Sequence, residues 1–148
     1  MRRNPVMARI DRQRLAAAPL PVVVEIPTRF DDLDTQGHVN NAAATVILQE
    51  GRVLFNRAAG LPAMMGRLRT MVASLTIEYV AEMHHPDPVE IGSGILAIGR
   101  TSFTIGQCAR QNGTPAIFAQ AVMVVADETG PVPIPDDLRA AFERLSIA

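Results

Sequence analysis

Residues 29–60 read RFDDLDTQGHVNNAAATVILQEGRVLFNRAAG. The first part is dense in turn formers, and Gly37 reaches backbone angles closed to other residues. Asn40 or Asn41 is a good N-cap, so a helix is predicted over 42–59. Its apolar positions Val46, Ile47, Val53 and Leu54 leave few polar ones: Thr45, Gln49, Glu50, Arg52, Asn56 and Arg57. Such a helix must be wrapped, by a sheet or by another subunit. Gly51 weakens it by about 1 kcal/mol relative to Ala; a close backbone approach on that face offsets the loss. Gly60 and then Pro62 mark its end.

Working outward, 22–30 reads as a strand in which Pro27 signals an edge position, a bulge or an early end. Residues 1–20 look like an N-terminal extension, with a short helix over 9–18 stopped by Pro19 and Pro21. Beyond the long helix the pattern changes to strands. TMVASLTIEYVAEM (70–83) is the first of them, HHPDP (84–88) a connection. VEIGSGILAIG (89–99) and TSFTIGQCAR (101–110) follow, then the hairpin signal QNGT (111–114) and a fourth strand, PAIFAQAVMVVAD (115–127). PDDLRAAFERL (135–145) closes the chain as a short helix. This order predicts an antiparallel sheet around one buried helix, with an exposed sheet edge that pairs with a second copy.

The bulk properties narrow the function. A chain of 148 residues is one domain with a real core. Acidic and basic residues nearly cancel, for a formal net charge of -1, so general nucleic-acid affinity is not expected. No apolar run approaches the roughly 20 residues of a membrane span. The lone Cys108 excludes an internal disulfide and fits a reducing, cytoplasmic setting; the N-terminus does not read as a secretory signal. Cys108 reads as packing. Adjacent His84 and His85 point to opposite faces of an extended chain, so no metal site is expected.

The chemistry concentrates where the polar loop meets the helix start. Hydrolysis of an activated acyl group needs an attacking water or carboxylate, and donors for the developing oxyanion. Helix N-termini present free N–H groups, and amides near 39–41 would serve. Asp34 fits the general base or nucleophile, and equally an Asx-turn. Asp31 reads as structural and Asp32 as an exposed turn residue. His38 reads as a histidine bonded to a carboxylate or backbone carbonyl, or as a proton carrier for the leaving group. Glu50 lies nine residues past Asn41, about 13 Å along the helix. It either belongs to the site or makes a buried interaction with Arg52 or a neighbouring strand. Arg100, Thr101 and Ser102 sit in a tight connection where an arginine fork suits a phosphate; Arg67 and Arg69 are further options.

The run from Arg29 to Ala42, with GRTSF (99–103) and PIP (133–135), resembles the hotdog-fold acyl-CoA thioesterases. It is closest to the 4-hydroxybenzoyl-CoA and YbgC-like branch, and DLD…HVNN is also similar to plant acyl carrier protein thioesterases. The resemblance covers about 22–143 and implies an α+β hotdog domain (21–148), a five-stranded antiparallel sheet around a central helix. It implies hydrolysis of an acyl-CoA or acyl carrier protein thioester, with coenzyme A as part of the substrate and no other cofactor. It further implies sites between two subunits of a homodimer or dimer of dimers. Asn41 matches the place where related enzymes carry a catalytic or orienting His or Asn. Plant members have an acid at Glu50, many bacterial ones at the position of Gln49. Ala44 stands where many relatives have Tyr, which favours an aliphatic acyl group. Alternatives are a hotdog dehydratase or hydratase, for which the differently spaced His and acid are missing, and a non-catalytic acyl-CoA or lipid-binding protein.

Overall fold

A computed structural model describes residues 9–17 and 19–148. The chain forms an α+β hotdog fold, a curved antiparallel sheet wrapped around a central helix. The elements are α1 (Arg12–Ala16), β1 (Val22–Ile26), α2 (Asn41–Ala58), α3 (Leu61–Met65), β2 (Arg69–Tyr79), β3 (Val89–Ile98), β4 (Ser102–Gln111), β5 (Thr114–Asp127), β6 (Gly130–Pro131) and α4 (Asp136–Arg144). The strand order is β1-β3-β4-β5-β2, all antiparallel, and the two-residue β6 adds to β5. β1 and β2 therefore occupy opposite edges, and α2 spans the crossing between them. The sequence leaves open that β2 joins β5, since periodicity carries no information about partners.

Local chemistry explains the boundaries. Pro27 ends β1 early, and β1 is an edge strand. Asn40 caps α2, its side chain accepting the Ala42 N–H at 2.7 Å. Gly60 ends it in a left-handed conformation, φ 77°. The chain then makes α3, an element absent from the sequence reading, with Pro62 in its first turn, where no N–H is missed. The predicted strand over 70–83 stops at Tyr79, and 80–88 form a connection. The Asn112-Gly113 turn has positive φ at both residues, 50° and 77°, the twist that joins β4 to β5.

Two clusters fill the space between α2 and the sheet. One gathers Ile47 and Leu48 with Ile91, Ala109, Ile117 and Ala119. The other gathers Phe55 with Ile105, Phe103 and Ala121, extended by Leu138 and Phe142 of α4. The opposite face of the sheet is covered too, with Leu15 of α1 and Ile147 packing on Cys108 and Phe118. Burial raises the Cys108 thiol above its ordinary value, outweighing Arg110, so it packs as an apolar group.

Gly51 is the point of closest approach. A Cβ there would stand 2.9 Å from Ile91 Cγ2 and 3.0 Å from Gln107 Nε2. Gln107 bridges the gap, donating to the Leu48 carbonyl and the Ser93 hydroxyl, each at 3.2 Å. Arg52 donates to Gln107 Oε1 at 3.2 Å and is 6% exposed, with burial lowering its pKa. Gly51→Ala gains about 1 kcal/mol of helix propensity and loses about 1–3 kcal/mol to overpacking. The expected outcome is a net destabilisation, read as a lower urea midpoint with an unchanged m-value.

Candidate active site

The loop 29–40 is built around Asp32. Arg29 N–H donates to Asp32 Oδ2 at 2.8 Å and the Arg29 guanidinium to Oδ1 at 3.1 Å. The Asp32 carbonyl accepts the Asn40 N–H at 2.8 Å, which ties the loop to the helix cap. Asp32 is buried, where the sequence reading made it an exposed turn residue; Asp31, read as structural, is exposed. A 3-10 turn over Phe30–Asp32 brings the Asp32 side chain back onto Arg29, and this geometry is invisible in residue preferences.

Asp34 follows as an Asx-turn. Its Oδ1 accepts the Gln36 N–H at 2.9 Å and the His38 N–H at 3.3 Å. Asp34 N–H donates to the His38 carbonyl, closing the loop on itself. Val39 N–H donates to the Met83 carbonyl at 2.8 Å, joining this loop to the connection after β2. There His38 Nε2 lies 3.1 Å from Glu82 Oε2, and the His84 ring packs edge-on to His38 at 5.2 Å.

These segments surround a cavity of about 450 Å³ beside the start of α2. Asp34, Gln36, His38, Asn41, Tyr79 and Glu82 supply its polar lining; Val39, Ala44, Met83 and Ile117 are its buried apolar part. The first turn of α2 offers N–H donors without i−4 acceptors. Asn40 Oδ1 takes that of Ala42, leaving those of Asn41 and Ala43. Of the amides expected near 39–41, those of Val39 and Asn40 are taken by the Met83 and Asp32 carbonyls, and only that of Asn41 remains. A carbonyl placed here would lie beside Asn41, the positive end of a helix dipole and a carboxylate.

The structure thus brings Asp34, His38 and Asn41 to one cavity and leaves other candidates elsewhere. Glu50 is exposed on α2 and does not line the cavity. The buried Glu50–Arg52 interaction does not form, because the two side chains leave α2 on different faces and Arg52 bonds Gln107 instead. Arg100 and Thr101 lie in the β3–β4 connection, and Ser102 opens β4. Ser102 pairs with Val124, about 23 Å along β5 from Ile117 of the cavity wall. Arg67 and Arg69 lie at the start of β2, the end opposite Tyr79. Gln36, Tyr79 and Glu82 are the polar lining residues that sequence reasoning missed. Tyr79 ends the alternating run of β2; Glu82 has no local signal, since it reaches the cavity only through the Val39–Met83 contact.

Among the described residues no group of three or more His, Cys, Asp or Glu side chains is placed to hold a metal ion. His85 instead pairs with the Thr28 hydroxyl at 3.1 Å, on the other side of the connection from His84.

The family model for the thioesterase-like superfamily matches residues 28–142. The chain belongs to the thioesterase-like superfamily. Among solved structures of similar fold is a predicted thioesterase from Bacillus stearothermophilus, 30% identical with a TM-score of 0.77, covering 84% of this chain and 95% of that one. Another is a thioesterase from Thermus thermophilus complexed with coenzyme A and Zn, 27% identical with a TM-score of 0.77, covering 86% and 95%. The Bacillus subtilis (strain 168) uncharacterized protein YsmA is 25% identical over 108 residues, 72% of this chain and 74% of its own. The superfamily match spans the Asp34 loop, α2 and every strand from β2 to β6.

The loop geometry makes a contrast between neighbours. Asp32→Ala removes the acceptor of the Arg29 N–H, while the exposed guanidinium stays solvated, and is expected to cost about 1 kcal/mol, whereas Asp31→Ala stays within about 0.5 kcal/mol. Urea melts of the two variants check this, and equal midpoints would contradict it.

Proposed function

We propose that this thioesterase-like protein hydrolyses an acyl thioester, carried by coenzyme A or an acyl carrier protein, to free acid and thiol. The observation that carries the reading is the convergence of Asp34, His38, Asn41 and the first-turn amides of α2 on one cavity. The motif from Arg29 to Ala42 supports the 4-hydroxybenzoyl-CoA and YbgC-like branch. The coenzyme A in the Thermus relative supports a coenzyme A arm on the substrate.

In this mechanism the thioester carbonyl oxygen sits at the Asn41 N–H, at the start of α2. Asp34 Oδ1 is occupied by the turn, so Oδ2 either takes a proton from water or attacks the carbonyl carbon. The electron pair moves onto the carbonyl oxygen, where the helix end stabilises it. Collapse breaks the C–S bond; where water was the nucleophile this gives the free acid directly, and where Asp34 attacked it leaves an acyl-aspartyl anhydride that a water then hydrolyses to the free acid and the Asp34 carboxylate. A thiol of pKa about 8.5 leaves readily as thiolate, and His38 stands beside the site to return a proton. The Asn41 side chain orients the water or the thioester.

Arg100, Thr101 and Ser102 serve the carrier arm only if a second copy presents them. β2 is a sheet edge with Met71, Val72, Tyr79 and Val80 exposed along and just beyond it, which supports pairing with another β2. Glu50 enters the site only through the same arrangement. A second reading, acyl-thioester binding without chemistry, draws support from the two turn bonds that Asp34 accepts.

Thiol release from short, medium, long and aryl acyl-CoAs separates the two readings. Asp34→Asn keeps an acceptor for the turn, so folding is expected to survive while turnover falls by at least about a hundredfold. Near-normal turnover in the variant would take Asp34 out of the chemistry; no turnover in wild type would favour binding alone. Sedimentation at micromolar concentration is expected to show a dimer, shifted toward monomer by Val72→Arg. A wild-type monomer would refute the shared site.

A further inference from the structure

Among the described residues, the cavity beside α2 is lined by two carboxylates, Asp34 and Glu82, and by no guanidinium. All fourteen cationic side chains of this protein are arginines, and none of the described ones lines it. The other basic group there is the His38 imidazole, whose Nε2 is already engaged by Glu82. Gln36, Asn41 and Tyr79 contribute dipoles or a phenol rather than positive charge. Arg29, the arginine of the same loop, is bonded to Asp32.

The segment bearing Glu82 is held in place although its carboxylate is open to solvent. The Met83 carbonyl accepts the Val39 N–H, and the Gln111 side chain bonds both the N–H and the carbonyl of His84 at 2.7 Å each. Glu82 itself is 64% exposed at the cavity rim. Behind it the cavity turns apolar and small, with Val39, Ala44, Met83 and Ile117 all buried. A chain entering past Glu82 therefore passes negative charge first and hydrocarbon second.

Resting on the acyl-thioester reading of this site, we propose that Glu82 is a specificity-determining residue that, with Asp34, restricts the cavity to acyl groups without negative charge. An acyl group ending in a carboxylate brings a third negative charge to Asp34 and Glu82 and against the buried apolar wall. It loses water there and gains no cation, and repulsion strengthens as the local dielectric falls. A neutral aliphatic chain meets only van der Waals contacts with the four buried side chains. The discrimination comes from a repulsive element rather than from an added attraction. Negative charge on the carrier arm must likewise find its arginines outside this cavity.

The test is a calorimetric titration with two coenzyme A thioethers of equal length, S-hexyl and its ω-carboxy analogue. The full chain and its Glu82→Gln variant are compared. Thioethers cannot be hydrolysed, so binding is read apart from turnover, and Gln keeps an acceptor for His38 Nε2. Wild type is expected to bind the S-hexyl ligand at least about tenfold more tightly, a difference of about 1.4 kcal/mol. Glu82→Gln narrows the ratio about threefold or more, by strengthening the ω-carboxy ligand alone. Equal affinities in wild type, a ratio unchanged in the variant, or no binding of either thioether would overturn the proposal. Thiol release from hexanoyl-CoA on the same preparations reports on hydrolysis separately. The expected binding pattern without thiol release would remove the hydrolase reading and leave the charge filter standing; turnover with equal affinities would do the reverse.

Discussion

Everything in this molecule depends on how closely α2 lies against β3 and β4 at Gly51. The missing Cβ lets the helix settle onto Ile91 and Gln107. Gln107 then reaches the Leu48 carbonyl and Ser93, and takes a hydrogen bond from Arg52. A helix held at that height has its N-terminus fixed above the sheet, beside Ile117 and Tyr79. The cavity exists because the helix start, the loop before it and the connection after β2 all meet there.

The loop is as constrained as the helix. Asp32 fastens its beginning, Asp34 its middle and Asn40 its junction with α2. These three side chains satisfy backbone donors that a loop would otherwise leave to water. Asp34 is held with Oδ1 committed to the turn, and it lines the same cavity as Asn41 at the helix start. The order of this loop is therefore supplied by local hydrogen bonds rather than by a large core.

The buried arginine shows the other side of this economy of contacts. Arg52 is enclosed with a neutral amide as its partner, and burial lowers its pKa. Among the described residues no carboxylate pairs with it, since Glu50 points outward. An ion pair here would demand a second buried charge, whereas Gln107 serves the helix carbonyl, Ser93 and the guanidinium at once. The same side chain thus sets the helix height and answers the buried cation.

Much of this was legible in the sequence, for a physical reason. Caps, breakers and periodicity act within a few residues, so the helix after Asn40, its end at Gly60, the Asn112-Gly113 hairpin and the strands could be read locally. The need for a close approach at Gly51 followed from its cost in a helix. The resemblance of 29–42 placed Asp34, His38 and Asn41 in one site, and the cavity gathers them. What the tertiary structure alone decided involves partners distant along the chain. It sent β2 to the far edge of the sheet, buried Asp32 and turned Glu50 outward. It also set Arg100 far from the cavity and brought Tyr79 and Glu82 into it. Such pairings depend on which surfaces meet across the sheet, and no single stretch of residues encodes that meeting.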